Sequence, residues 1–151
     1  MGAAGPVTTP GGRHLLLATL HHGYAAHLHA IDVGARVVGL SVRAHARLRA
    51  LERDLGLEAA SVAGGQTVSD AEALGACYVF EGSALGACTL VGQIAESGAP
   101  VPGYLALLAR EGRERWPRVQ AALRAYGGDG DAVVAHAQHV FASLISASER
   151  A

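Results

Sequence analysis

Lysine is absent from this chain. All twelve basic residues are arginines, set against thirteen carboxylates for a formal net charge of −1. That balance excludes the dense positive surface by which proteins hold nucleic-acid phosphates, so no nucleic-acid partner is expected. Charged residues are few (17%) and aromatic ones fewer (5%), while half the chain is apolar, so the core must be built from aliphatic and small side chains. Cysteine is nearly missing as well. Cys77 and Cys88 are the only two, eleven residues apart; within one helix that is about 16 Å, too far to pair. Free, buried thiols and a cytoplasmic setting are the expectation. The opening MGAAGPVTTPGG has no basic start followed by a hydrophobic run, so no signal peptide is expected. Residues 1–12 read as a flexible segment ahead of one domain over residues 13–151.

Strands are the next absence. No stretch alternates apolar and polar residues convincingly, so the chain reads as all-α, with about six helices and no internal repeats. The stretch that dominates is Ala73 to Ala95, ALGACYVFEGSALGACTLVGQIA. Ser69 and Glu72 before it form a capping box, and Gly98 and Pro100 after it form a stop. The spacing predicts one buried central helix of about 27 residues, about 40 Å long. It is long enough to cross a bilayer, but Glu81 at its centre costs about 2.5–3.5 kcal/mol there, so no membrane span is expected. Gly75, Gly82, Gly86 and Gly92 each weaken a helix by about 1 kcal/mol relative to alanine, which implies that something approaches the backbone closely.

Before this stretch, Leu17, Leu20, Tyr24, Leu28 and Ile31 form one apolar stripe and predict a helix over about Arg13–Ile31, broken at Asp32–Gly34. Ala35–Leu40 reads as a continuation or a turn. A helix over about Val42–Leu55 follows, with Ser41 as cap, Leu48, Leu51 and Leu55 inward and Gly56 as stop. Its Arg43, Arg47, Arg49 and Arg53, beside Glu52 and Asp54, read as a solvated face. Downstream, a short helix after Pro102 and a separate one from Trp116–Pro117 are expected, the second keeping Trp116, Val119, Leu123 and Tyr126 inward. Asp131 is the expected cap of a final helix running from Ala132 to about Ser148, with Val133, Ala137, Val140, Phe141 and Leu144 inside.

Little of this spells chemistry. His14 and His21, like His22 and His29, stand seven apart, and His136 and His139 stand three apart. None makes the i, i+4 pair or the carboxylate partnership that a dedicated metal site uses. A single imidazole as an axial iron ligand needs no such pattern. Gly82 and Gly86 bracket a GxxxG face, whose spacing alone favours helix packing over a flat ligand.

The segment YVFEGSALGACTL resembles the distal-helix motif of the bacterial haem oxygenases linked to bacteriophytochromes, which read approximately Y-V-x-E-G-S-x-L-G-G-x. LLLATLHHGYAAHL, Leu51–Gly56, RWPRVQAALRAYG and DAVVAHAQHVFASL resemble further helices of that family, so the likeness spans about residues 13–148. It implies a haem-oxygenase-like multi-helical fold in which haem lies between a proximal and a distal helix. The reaction implied is cleavage of haem by O₂, with electrons from a donor, to biliverdin, CO and iron. By position Gly82, Ser83, Gly86 and Ala87 would form the haem face, and Arg115 or Arg118 could meet the propionates. The family's second glycine of the Gly-Gly pair is Ala87 here, followed by Cys88. The helix that carries the family's proximal histidine has no counterpart before Leu15, which leaves His14, at a non-matching position, as candidate axial ligand. Two readings follow: a haem oxygenase, or a non-catalytic relative that binds a tetrapyrrole or a protein partner. The lost helix would also bare an apolar face, for which a homodimer is the expectation.

Overall fold

The computed structural model describes residues 6–62 and 65–151; residues 1–5, and Gly64 of the loop expected before the long stretch, lie outside it. Among the described residues the chain is all-α, in six helical segments: α1 Pro10–Val37, α2 Ala44–Leu55, α3 Asp70–Gly82, α4 Ala84–Glu96, α5 Gly103–Ala125 and α6 Gly130–Arg150. The α3 helix is the centre, packed by α1, α5 and α6; α2 lies across α1 and α5. Tyr24, Leu48, Leu51, Leu74, Phe80, Ile94, Tyr104, Leu105 and Leu108 are sealed in the core, where each aliphatic side chain contributes about 2 kcal/mol of burial.

Several expected boundaries move, each for a physical reason. The first helix starts earlier, because the Thr9 hydroxyl accepts the Gly12 N–H at 3.1 Å and Pro10 occupies the first turn. It also runs on through Asp32 and Gly34. Gly34 is a crossing point, not a break: a Cβ there would lie 2.5 Å from the Ala73 carbonyl oxygen and 2.8 Å from the Cys77 Cβ. The true stop comes at Gly39, whose φ of 74° needs glycine. Ser41 does not cap α2; its hydroxyl accepts from Arg115 instead, at 3.1 Å. Gly56 does end α2, in the left-handed region.

The two helices expected after Pro102 are one. Leu105, Leu108, Gly112, Arg115 and Val119 are all buried in α5, at spacings of three and four, so a single stripe runs along its length. A glycine and an arginine in that stripe hide it from a hydrophobicity pattern, and the packing carries the helix through Pro117. In α6 the cap is Asp129, which accepts from the Ala132 N–H at 3.1 Å, rather than Asp131. Phe141 is half exposed rather than inside.

The long stretch is capped at Ser69 as expected, its hydroxyl accepting the Glu72 N–H at 3.1 Å. It passes through a junction at Ser83, however, and its halves differ. The α3 half is buried almost throughout, whereas α4 buries only Ala84, Ala87 and Ile94 and packs chiefly on α5. Residues Asp70–Glu96 form the one helical run among the described residues long and apolar enough to cross a membrane, and half of its most apolar window is buried inside the protein.

Candidate functional site

Helices α1, α5 and α6 converge on the junction of α3 and α4 at Ser83. Backbone hydrogen bonds continue across it, from Ser83 N–H to the Val79 carbonyl at 3.1 Å and from Ala87 N–H to the Ser83 carbonyl at 3.0 Å. The Ser83 hydroxyl donates to the Phe80 carbonyl at 2.6 Å. Beside the junction lies an apolar cavity of about 250 Å³ walled by Leu20 of α1, Tyr78, Gly82, Ser83 and Leu85, Trp116 of α5, and Phe141 and Leu144 of α6. A second cavity of about 450 Å³, between Tyr126 and the Val133–Phe141 side of α6, shares Tyr78 and Phe141 with the first. Together they make one half-open groove.

The four residues assigned to a haem face are distributed unevenly around it. Gly82 and Ser83 line the groove. The bare face of Gly82 is met by the Trp116 indole, whose nearest atom would sit 3.1 Å from a Cβ built there, and that ring is tilted on Tyr78 at 5.7 Å. Gly86 is exposed, with nothing within 4 Å of its missing side chain. Ala87 is buried among the core residues. Of the other helix-weakening glycines, Gly75 admits the α6 backbone, its Cβ position lying 2.9 Å from both the Ala137 nitrogen and the Val133 oxygen, while Gly92 meets nothing.

Behind the groove lies a buried ionic cluster that the pattern of α2 concealed. Arg47, read as part of a solvated face, is fully buried. Its guanidinium forks onto Glu81, Nη1 to Oε1 and Nη2 to Oε2, both at 3.1 Å. Arg115 grips the same carboxylate from α5 at 2.8–3.1 Å and donates to the Ser41 carbonyl at 2.9 Å. Glu111 bridges Arg47 and Arg43 at 3.3 and 2.7 Å. Burial alone would raise the Glu81 carboxyl, but the Arg115 hydrogen bond and the Arg47 charge outweigh it and hold it below the usual carboxylate range. Glu52 is buried too, held by Arg49 and the Ala60 N–H. Alongside, the Tyr104 hydroxyl donates to Tyr24 at 3.1 Å, and burial raises both phenols. The signal for this cluster was Glu81 itself: an acid in the middle of an apolar helix requires buried cations, and α2 is rich in arginine. Arg115 is thereby committed inside the protein, and Arg118 donates to the Gly39 carbonyl at 3.0 Å.

His14 is exposed and stands at a different place, a cleft of about 400 Å³ with Arg13, Asp54 and Pro102 that shares no lining residue with the groove. His27, by contrast, is brought to the α6 pair: its ring centroid lies 6.4 Å from that of His139, which lies 5.7 Å from His136. Among the described residues no group of three or more histidines, cysteines or carboxylates is arranged to hold a metal ion. Cys77 is buried, which pushes its thiol up to about 12, whereas Cys88, expected inside, is exposed.

No protein-family model matches the chain, and neither a curated protein nor a solved structure matches it. The haem-oxygenase likeness therefore rests on the sequence motifs alone.

Proposed function

We propose that this chain is a non-catalytic relative of the haem oxygenases that binds a tetrapyrrole in the groove beside Gly82 and Ser83. The observation that carries the reading is the groove's chemistry. Tyr78, Trp116 and Phe141 offer ring faces, Leu20, Leu85 and Leu144 complete an aliphatic wall, and the adjoining volumes are of the size that holds a small-molecule ligand. The same walls fit an iron-bearing haem poorly. No imidazole lines either cavity to take the iron, and no guanidinium lines them to meet a propionate. A metal-free tetrapyrrole asks for neither at the macrocycle, and its propionates stay in water at the open edge. Binding, rather than oxidative cleavage, is the role that these walls support.

Trp116 is the only tryptophan, so its emission reports on the groove. Titration with biliverdin is expected to quench it at one equivalent per chain. Leu85→Asp, at the groove wall and largely exposed, is expected to weaken that binding at least about tenfold by setting a charge against the macrocycle. Quenching by neither biliverdin nor hemin would sink the tetrapyrrole reading. A Soret band of histidine-ligated haem would instead restore the haem reading, with an axial ligand from outside the groove walls.

A second reading is favoured by one observation. Leu85, Ile145, Val134, Phe141 and Tyr78 are 61, 59, 55, 49 and 43% exposed, and such a concentration of exposed apolar side chains marks an interaction surface. In this reading a second copy of the chain covers the groove.

A further inference from the structure

The histidines of α1 and α6 have no part in the groove, yet the fold gathers them. His27 projects from α1 toward Phe80 of α3, at 6.1 Å between ring centroids, and its Nε2 lies 3.3 Å from the Ser143 hydroxyl of α6. The His139 ring stands edge-on to it at 6.4 Å, and the His136 ring is tilted on His139 at 5.7 Å. The His136 Nε2 is shut off from water and finds no hydrogen-bond partner among the described residues. The His27–His139 and His139–His136 rings make two neighbouring pairs on the seam where α6 meets α1 and α3, so protons added to His27 and His136 raise like charge along the seam.

We propose that His27, His136 and His139 form a proton-operated seam that releases α6 from α1 and α3 as the pH falls from neutral toward 5. The groups that face them are few. His22 of α1 adds a like charge near His27 when protonated, and Glu72 of α3 is the opposing carboxylate near His136. Burial comes first in lowering the His27 imidazole, followed by the charges of His136, His139 and His22. Burial also lowers His136, with Glu72 pulling the other way and His139 adding to the drop. A histidine whose folded value lies below its unfolded one binds more protons when released. The docking of α6 is therefore fully supported above the ordinary imidazole value of about 6.5 and fails as the pH drops through the lowered values. Because Val133, Ala137 and Phe141 of the same helix line the groove, release of α6 dismantles the groove wall as well.

Two measurements test this. In an NMR titration of the imidazole carbons, His27 and His136 are expected to titrate below 6.5 with coupled curves. His139→Gln, a surface change that leaves the fold intact, is expected to shift the His27 midpoint upward. Amide protection factors in α6 should fall at least about tenfold between pH 7.5 and 5.5 while those of α2 and α5 hold, and His27→Gln with His136→Gln should flatten that response. A His27 midpoint that ignores His139→Gln would overturn the proposal, as would protection lost equally in all helices or unchanged in α6.

Discussion

Glu81 is the residue on which the interior turns. Among the described residues it is the one carboxylate shared by two buried guanidiniums, from α2 and α5, and its removal leaves two cations facing each other without water. Breaking a buried pair in this way costs about 3–5 kcal/mol. Glu81→Gln, nearly the same size, is expected to lower the stability read from urea unfolding by that amount, far more than Glu111→Gln at the more exposed end of the cluster. The pH sense follows from the depressed carboxyl. Its contribution is complete above the ordinary carboxylate value and is lost as the pH falls through the lower folded one. A wild-type and Glu81→Gln pair whose stabilities stay parallel down to pH 3 would contradict that assignment. Glu81 was visible in the sequence as an anomaly inside an apolar run, but its partners were not. Arg47 sits among arginines that look alike by spacing, and only the tertiary fold decides which of them turns inward.

At the scale of elements, local chemistry was legible wherever a hydrogen-bonding side chain or a left-handed glycine dictated it. Ser69 and Gly56 do what their types predict. Local signals mislead where packing overrides local preference. Asp32–Gly34 looks like a break and is a close crossing; Trp116–Pro117 looks like a start and lies inside α5. The proline is a standing cost, since it lacks the N–H that the ladder uses and crowds the preceding turn. It is exposed on one side of the helix, so Pro117→Ala loses little packing. That change is expected to raise stability by about 1–2 kcal/mol, the helix gain less the unfolded-chain entropy that proline had removed. Thermal unfolding by circular dichroism reads it directly, and an unchanged or lower midpoint would show that the proline carries no net cost in α5. The candidate site was half legible for a related reason. The glycines of the long stretch announce close approach but not what approaches: α6 at Gly75, an indole at Gly82, open space at Gly86 and Gly92.

For the whole molecule, the fold class followed from periodicity, whereas the arrangement of the helices did not. The expected single buried helix is central in α3 and peripheral in α4, because α5 covers α4 along one side and the described residues place nothing along the other. Exposed apolar side chains on α4 and α6 border the groove, which suits a chain that associates with a copy of itself. On the reading in which a second copy covers the groove, light scattering would give twice the chain mass at tens of micromolar, and Phe141→Asp with Ile145→Asp would return it to one chain mass without loss of helix content. A wild-type monomer at millimolar concentration would remove the dimer.

The unequal burial of α3 and α4 also sorts the two thiols. Cys77 sits against α1 at the Gly34 crossing, where burial keeps it protonated at any ordinary pH. Cys88, three turns along the same apolar run, stands in water. To an alkylating reagent or an oxidant the folded protein therefore has a single cysteine, and the second becomes reactive only when α1 and α3 part.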